Sequence, residues 1–183
     1  MKKIAIVFLS FSLMASFSLA VASQEKASEI EAISLQEISP FTYCCIPHKG
    51  PYTEIQEVIG GLVQSLRGQN ISFTGPLVGI YYNSPAEVKP EELQWEVGFP
   101  VTPQASVQAP LEIKQWNFTT VATALHKGPY ETVVQTIFKI LEWMKTNACV
   151  PAGPVMERYL DMDPSSVKPE ELRTEVWIPC KKI

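Results

Sequence analysis

The chain has 183 residues and a mass of 20.4 kDa, room for one domain or two small ones. Its 46% hydrophobic and 10% aromatic content can fill a core, which excludes a disordered chain. With 15 basic against 19 acidic side chains and a pI near 5.3, it lacks the cationic surplus that grips phosphate backbones, so no nucleic-acid partner is expected.

Lys2 and Lys3 precede an uncharged apolar run over 4–20, which ends in Ala20-Val21-Ala22. A basic start, an apolar centre and an A-x-A site predict a signal peptide over 1–22. The protein is therefore expected to be periplasmic or secreted, free of the membrane once cleaved. The polar segment 23–33 is expected to be flexible, leaving 34–183 as the folded module.

The next elements occur twice. His48-Lys49-Gly50-Pro51-Tyr52 returns 78 residues on as His126-Lys127-Gly128-Pro129-Tyr130. Gly75-Pro76 returns as Gly153-Pro154 and Tyr81 as Tyr159 at the same offset. Val88-Lys89-Pro90-Glu91-Glu92-Leu93 returns as Val167-Lys168-Pro169-Glu170-Glu171-Leu172, one residue later. Two such units, 34–100 and 113–180 around a linker at 101–112, are a tandem duplication; a solenoid needs more repeats.

Each unit reads strand, helix, strand, strand. The first strands are predicted over 35–47 and 113–126, rich in β-branched and aromatic residues. Pro51 and Pro129 are expected at the first helical position, where a missing N–H costs nothing. Tyr52, Ile55, Val58, Ile59, Leu62, Val63 and Leu66 form one apolar stripe, and Tyr130, Val133, Val134, Ile137, Phe138, Leu141 and Met144 another. The second strands are predicted over 77–82 and 155–160, the third over 94–100 and 173–180. One helix per unit covers one sheet face. The fold class is therefore α+β: tandem β-α-β-β units in a pseudo-twofold antiparallel sheet, both helices on one side.

Four cysteines in an exported chain allow three disulfide connectivities. Adjacent Cys44 and Cys45 point to opposite faces of a strand, and the hairpin brings Cys149 towards Cys180, so that pair is the expected disulfide. Free buried thiols are the alternative. No C-x-x-C spacing exists and only His48 and His126 could assist, so no metal or other cofactor is expected. Both histidines are read as braces of the strand-to-helix turn.

Alternation along the strands sets the candidate site. Val176 and Ile178 suit the helix-covered core, leaving Glu175 and Trp177 on the other side; Glu96 follows in the first unit. Glu157 alternates with Tyr159, and Gly79 with Tyr81. These are placed together on the helix-free face as Glu96, Glu157, Glu175, Tyr81, Tyr159 and Trp177. Rings around a carboxylate suit a flat or cationic organic ligand. The alternative is a row of solvated strand glutamates with padding rings.

The order His-Lys-Gly-Pro-Tyr, helix, Gly-Pro, Tyr, Pro-Glu-Glu-Leu, then Glu96-Val97-Gly98-Phe99-Pro100 or Glu175-Val176-Trp177-Ile178-Pro179 resembles the GyrI-like small-molecule-binding family over 31–180. That module is also the effector-binding domain of AraC-type and MerR-type regulators, and SOUL proteins are structural relatives. The resemblance implies a ligand cleft between the units, with Glu175 as the ligand-contacting glutamate and Tyr159 and Trp177 lining it. No helix-turn-helix segment precedes the module, so a self-contained transcription factor is not expected. The leading expectation is an exported protein binding an aromatic or cationic small molecule, with Glu175 as counter-charge. The resemblance also leaves open a hydrolase of reactive small molecules with Glu175 as general acid/base, and the exposed face leaves open docking to another exported protein.

Overall fold

The computed structural model describes residues 29–30 and 32–183. The expected signal peptide over 1–22 lies outside the described residues. Among those described, the chain order is β1 (Glu29–Ile30), β2 (Ser34–Glu37), β3 (Phe41–Lys49), α1 (Ile55–Gly68), β4 (Leu77–Tyr81), β5 (Gln94–Pro100) and β6 (Glu112–Trp116), then β7 (Thr120–Lys127), α2 (Val133–Thr146), β8 (Cys149–Pro151), β9 (Val155–Tyr159) and β10 (Arg173–Lys182). The strands join in one antiparallel sheet in the order β1-β7-β10-β9-β4-β5-β3-β6, with β2 also on β7 and β8 also on β10.

Each long first strand predicted from sequence is in fact two. The stretch 35–47 divides into β2 and β3 at 38–40, where Pro40 has no N–H to give a ladder. The stretch 113–126 divides into β6 and β7. β2 pairs with β7 while β3 pairs with β6, and the Ile38 N–H donates to the Thr119 carbonyl at 2.7 Å between the two ladders. β6 closes one end of the strand order and β7 lies near the other, so residues 117–119 tie the sheet's two ends together. The sheet must therefore roll up. One cluster holds Trp116 of β6, Val121 of β7 and mid-sheet Val78, Ile80 and Met156, all 2% exposed or less.

The helices pack on the outside of that roll. Apolar positions at i, i+3, i+4 and i+7 put Leu62 and Leu66 of α1, and Val133, Ile140 and Met144 of α2, against the sheet. Fully burying one such side chain contributes about 1.5–3 kcal/mol. Pro51 and Pro129 stand one step earlier than predicted. Each caps a single 3-10 turn, Tyr52–Glu54 or Tyr130–Thr132, which leads into the α-helix. Both helices share a face, because Tyr81 packs with the α1 cluster, Val155 packs with the α2 cluster, and the two residues are direct partners across β4 and β9.

The four cysteines are free thiols, which corrects the expected Cys149–Cys180 disulfide. The hairpin does bring the two together, but Cys180 faces Pro151 and Cys149 faces Lys182. Such diagonal neighbours stand about 7–8 Å apart, beyond the usual Cα span of a disulfide at about 4.4–6.8 Å. Burial raises the pKa of the Cys44, Cys45 and Cys180 thiols, which keeps them protonated and unreactive.

Candidate functional site

Neither helix lies over the middle of the sheet. α1 rests on β3 and β5, and α2 rests on β7, β8 and β10. The central pair, β4 and β9, forms the floor of a groove between them. Leu77 faces Tyr159, Gly79 faces Glu157, and Tyr81 faces Val155 on the groove side. Val78, Ile80, Met156 and Arg158 point into the roll.

This register divides the predicted site in two. Tyr81, Glu157 and Tyr159 lie on the helix-bearing face, while Glu96, Glu175 and Trp177 lie on the helix-free face. The expected single cluster on the helix-free face is corrected accordingly. On β10, Glu157 pairs with Val176 and Arg158 pairs with Glu175. Directly paired residues share a face, so Glu157 sides with the core valine.

In the groove, the Tyr159 hydroxyl donates to Glu157 Oε2 at 2.8 Å. That spends its proton, so the Tyr81 hydroxyl, 2.8 Å away, is the donor to Tyr159. Tyr52 meets Tyr81 edge-on at 5.3 Å, and Tyr130 meets Tyr159 the same way at 5.3 Å. Gly79 makes this possible. A Cβ there would stand 2.8 Å from the Tyr81 hydroxyl and 3.1 Å from that of Tyr159. The floor thus carries four rings around one half-buried carboxylate.

Desolvation pushes the Glu157 carboxyl up from its usual 4.5 to about 7, against the opposing hydrogen bond from Tyr159. None of the ion pairs among the described residues includes it. The other two carboxylates are already matched. Glu96, 1% exposed, accepts from Tyr43 at 2.6 Å, Tyr82 at 2.9 Å and Lys114 at 2.5 Å. Glu175 is bonded to Arg158, whose guanidinium sits 4.3 Å over the Trp177 ring. Trp177 is 6% exposed in the filled interior of the roll, alongside Trp116.

The histidines serve their turns. His48 Nε2 lies 2.5 Å from Glu54 Oε2, and His126 Nδ1 lies 2.8 Å from the Thr136 hydroxyl. Tyr52, Tyr130, Arg158 and Lys114 are site neighbours the sequence reading did not single out. One signal was available for the groove itself: at the offset of 78 residues, Gly79 is the counterpart of Glu157. A carboxylate facing its own repeat partner, a glycine, marks the centre of the pair.

The profile of the GyrI-like small molecule binding domain matches residues 31–181. The chain belongs to the GyrI-like family. Among solved structures, the C-terminal domain of EcmrR is similar at TM-score 0.74 and 18% identity, covering 83% of this chain and 98% of that one. EcmrR in its DNA complex has the same TM-score, and there the match spans 58% of that chain. A hydrolase from Listeria innocua is similar at TM-score 0.59 and 14% identity, over 81% of this chain and 91% of that one. SAV2435 bound to tetraphenylphosphonium is similar at TM-score 0.51 and 17% identity, over 82% and 94%. These likenesses concern the fold. A search of curated proteins finds no match. Family membership makes this GyrI-like chain a small-molecule-binding module, with a mixed antiparallel sheet and two helices.

Proposed function

We propose that this GyrI-like protein binds a lipophilic organic cation in the groove between α1 and α2, with Glu157 as the counter-charge. The observation that carries the reading is a half-buried carboxylate ringed by four tyrosines with no cation of its own. An unpaired charge there is costly, and a cation that stacks on tyrosine faces would offset that cost by charge pairing and cation–π attraction. Glu175 is the weaker choice for the same role, since Arg158 already neutralises it. The repeat supports one ligand per chain. A pseudo-twofold axis through the Gly79–Glu157 pair relates the two units and leaves one acidic half to the floor.

Titration with tetraphenylphosphonium, followed by calorimetry at pH 8, tests this. Saturable binding that falls at least about tenfold in Glu157→Gln is the expected result, matching the worth of one partly desolvated charge pair. Equal affinity in both proteins would remove Glu157 from the role. Affinity should also fall from pH 8 to pH 5.5, because protonation removes the charge that the ligand needs.

A second reading rests on the same carboxyl. A group held near pH 7 beside a tyrosine hydroxyl is suited to general acid/base work on a reactive ligand. Recovering the bound compound and weighing it separates the two: unchanged mass supports binding, and addition of water that stops in Glu157→Gln supports hydrolysis. Export belongs to the proposal as well, on the strength of Lys2, Lys3, the apolar run and Ala20-Val21-Ala22. A mature protein beginning at Ser23 in the culture medium or periplasm is the expected outcome of N-terminal sequencing, and an intact Met1 terminus would refute export.

A further inference from the structure

The two walls of the groove differ. On α2, the Thr136 hydroxyl bonds His126 on β7, so that flank looks away from the centre, while Tyr130 at the helix entry meets Tyr159 on the floor. At 100° per residue, Val134 and Phe138 follow Tyr130 along the groove flank. They are large apolar side chains, 48% and 62% exposed, one turn apart. On α1, Tyr52 meets Tyr81 in the same way, and the positions that follow it are Gln56 and Gly60. A Cβ on Gly60 would meet nothing within 4 Å. One wall is therefore an apolar shelf and the other is open.

We propose that this asymmetry selects a monocation that is aromatic on one side and carries a bulky arm on the other. Its ring system lies against Val134 and Phe138, its arm fills the space in front of Gly60, and its charge meets Glu157. The inference rests on the proposed role of Glu157 and adds the shape of the ligand to it. An exposed pair of apolar side chains flanking an unpaired carboxylate is complementary to a flat lipophilic cation and to little else in water.

The test uses the intact protein with three monocations: N-methylacridinium, N-benzylacridinium and tetrabutylammonium, each titrated at pH 8. Phe138→Ala should weaken N-methylacridinium about tenfold, the upper worth of a ring–ring contact, and weaken tetrabutylammonium less than about twofold. Gly60→Leu should weaken N-benzylacridinium about tenfold more than N-methylacridinium, because the new side chain occupies the arm's space. Neither change threatens folding, since Phe138 is exposed and leucine forms helix better than glycine. Cation binding that needs Glu157 but shifts equally for all three probes in both variants would overturn the shape inference alone. Loss of self-association in Phe138→Ala, seen by light scattering, would assign the shelf to a second copy and overturn it too. Failure of the wild type to bind any probe would overturn the reading of Glu157 beneath it.

Discussion

Three glutamates of one sheet have three different fates, and their partners decide them. Glu96 is buried among the Tyr43 hydroxyl, the Tyr82 hydroxyl and the Lys114 ammonium, and so fixes β3, β5 and β6 to one another. Glu175 holds Arg158 against Trp177, a half-exposed bridge between β9 and β10. Glu157 has only the Tyr159 hydroxyl. The first is structural by this argument, so Glu96→Ala should cost about 3 kcal/mol in urea unfolding, the lower end for breaking a buried pair, because Lys114 and Tyr82 can turn to water. Its cation affinity should not change. Unaltered stability, or a lost ligand, would move Glu96 from the structural set to the site.

At the scale of elements, the groove depends on β4 coming close to β9 under two tyrosine rings. Gly79→Ala puts a methyl 2.8 Å from the Tyr81 hydroxyl, the far end of a side chain that can swing. The fold should survive, with thermal stability within about 1 kcal/mol of wild type, while cation affinity falls about tenfold as the Tyr81–Tyr159 bond is lost. Unchanged affinity would show that the rings do not frame the ligand. The elements themselves were legible in the sequence. Helical stripes, the Gly-Pro turns and the offset of 78 residues gave both units, because each rests on local spacing. The faces were only partly legible. Alternation tells which residues of one strand share a side, but the loop over 160–172 is too long to fix how β9 registers against β10. A slip of one residue turns every side chain over. Glu157 was therefore grouped with Glu175, although it pairs with Val176. Likewise nothing local in 35–47 announces that its two halves pair with different strands, because that follows from the rolling of the whole sheet.

The rolling also explains, for the whole molecule, why the ligand groove lies under the helices. Trp116 and Trp177, together with Val78, Ile80 and Met156, fill the concave side, so only the convex side, between two helices seated on outer strands, leaves its central strands open. A carboxylate kept there without a cation costs the folded state something that a pH scan can read. Its folded pKa of about 7 lies above the usual 4.5, so between those values the folded chain binds more protons than the unfolded one. The contribution is fully present below pH 4.5 and is lost as pH rises through 7, by up to about 3 kcal/mol. His126 runs the other way. Burial lowers its pKa, so its share is lost as pH falls. Comparing wild type with Glu157→Gln cancels the histidine, since both proteins carry it. The variant should gain on the wild type by about 3 kcal/mol between pH 4.5 and pH 8 in denaturant unfolding. Saturating tetraphenylphosphonium at pH 8 should then close the gap from the wild-type side, because the ligand stabilises only the protein that keeps its charge. A difference that stays flat across that range would mean that Glu157 ionises as freely as an exposed glutamate, and the groove would have no stored electrostatic demand for a cation to meet.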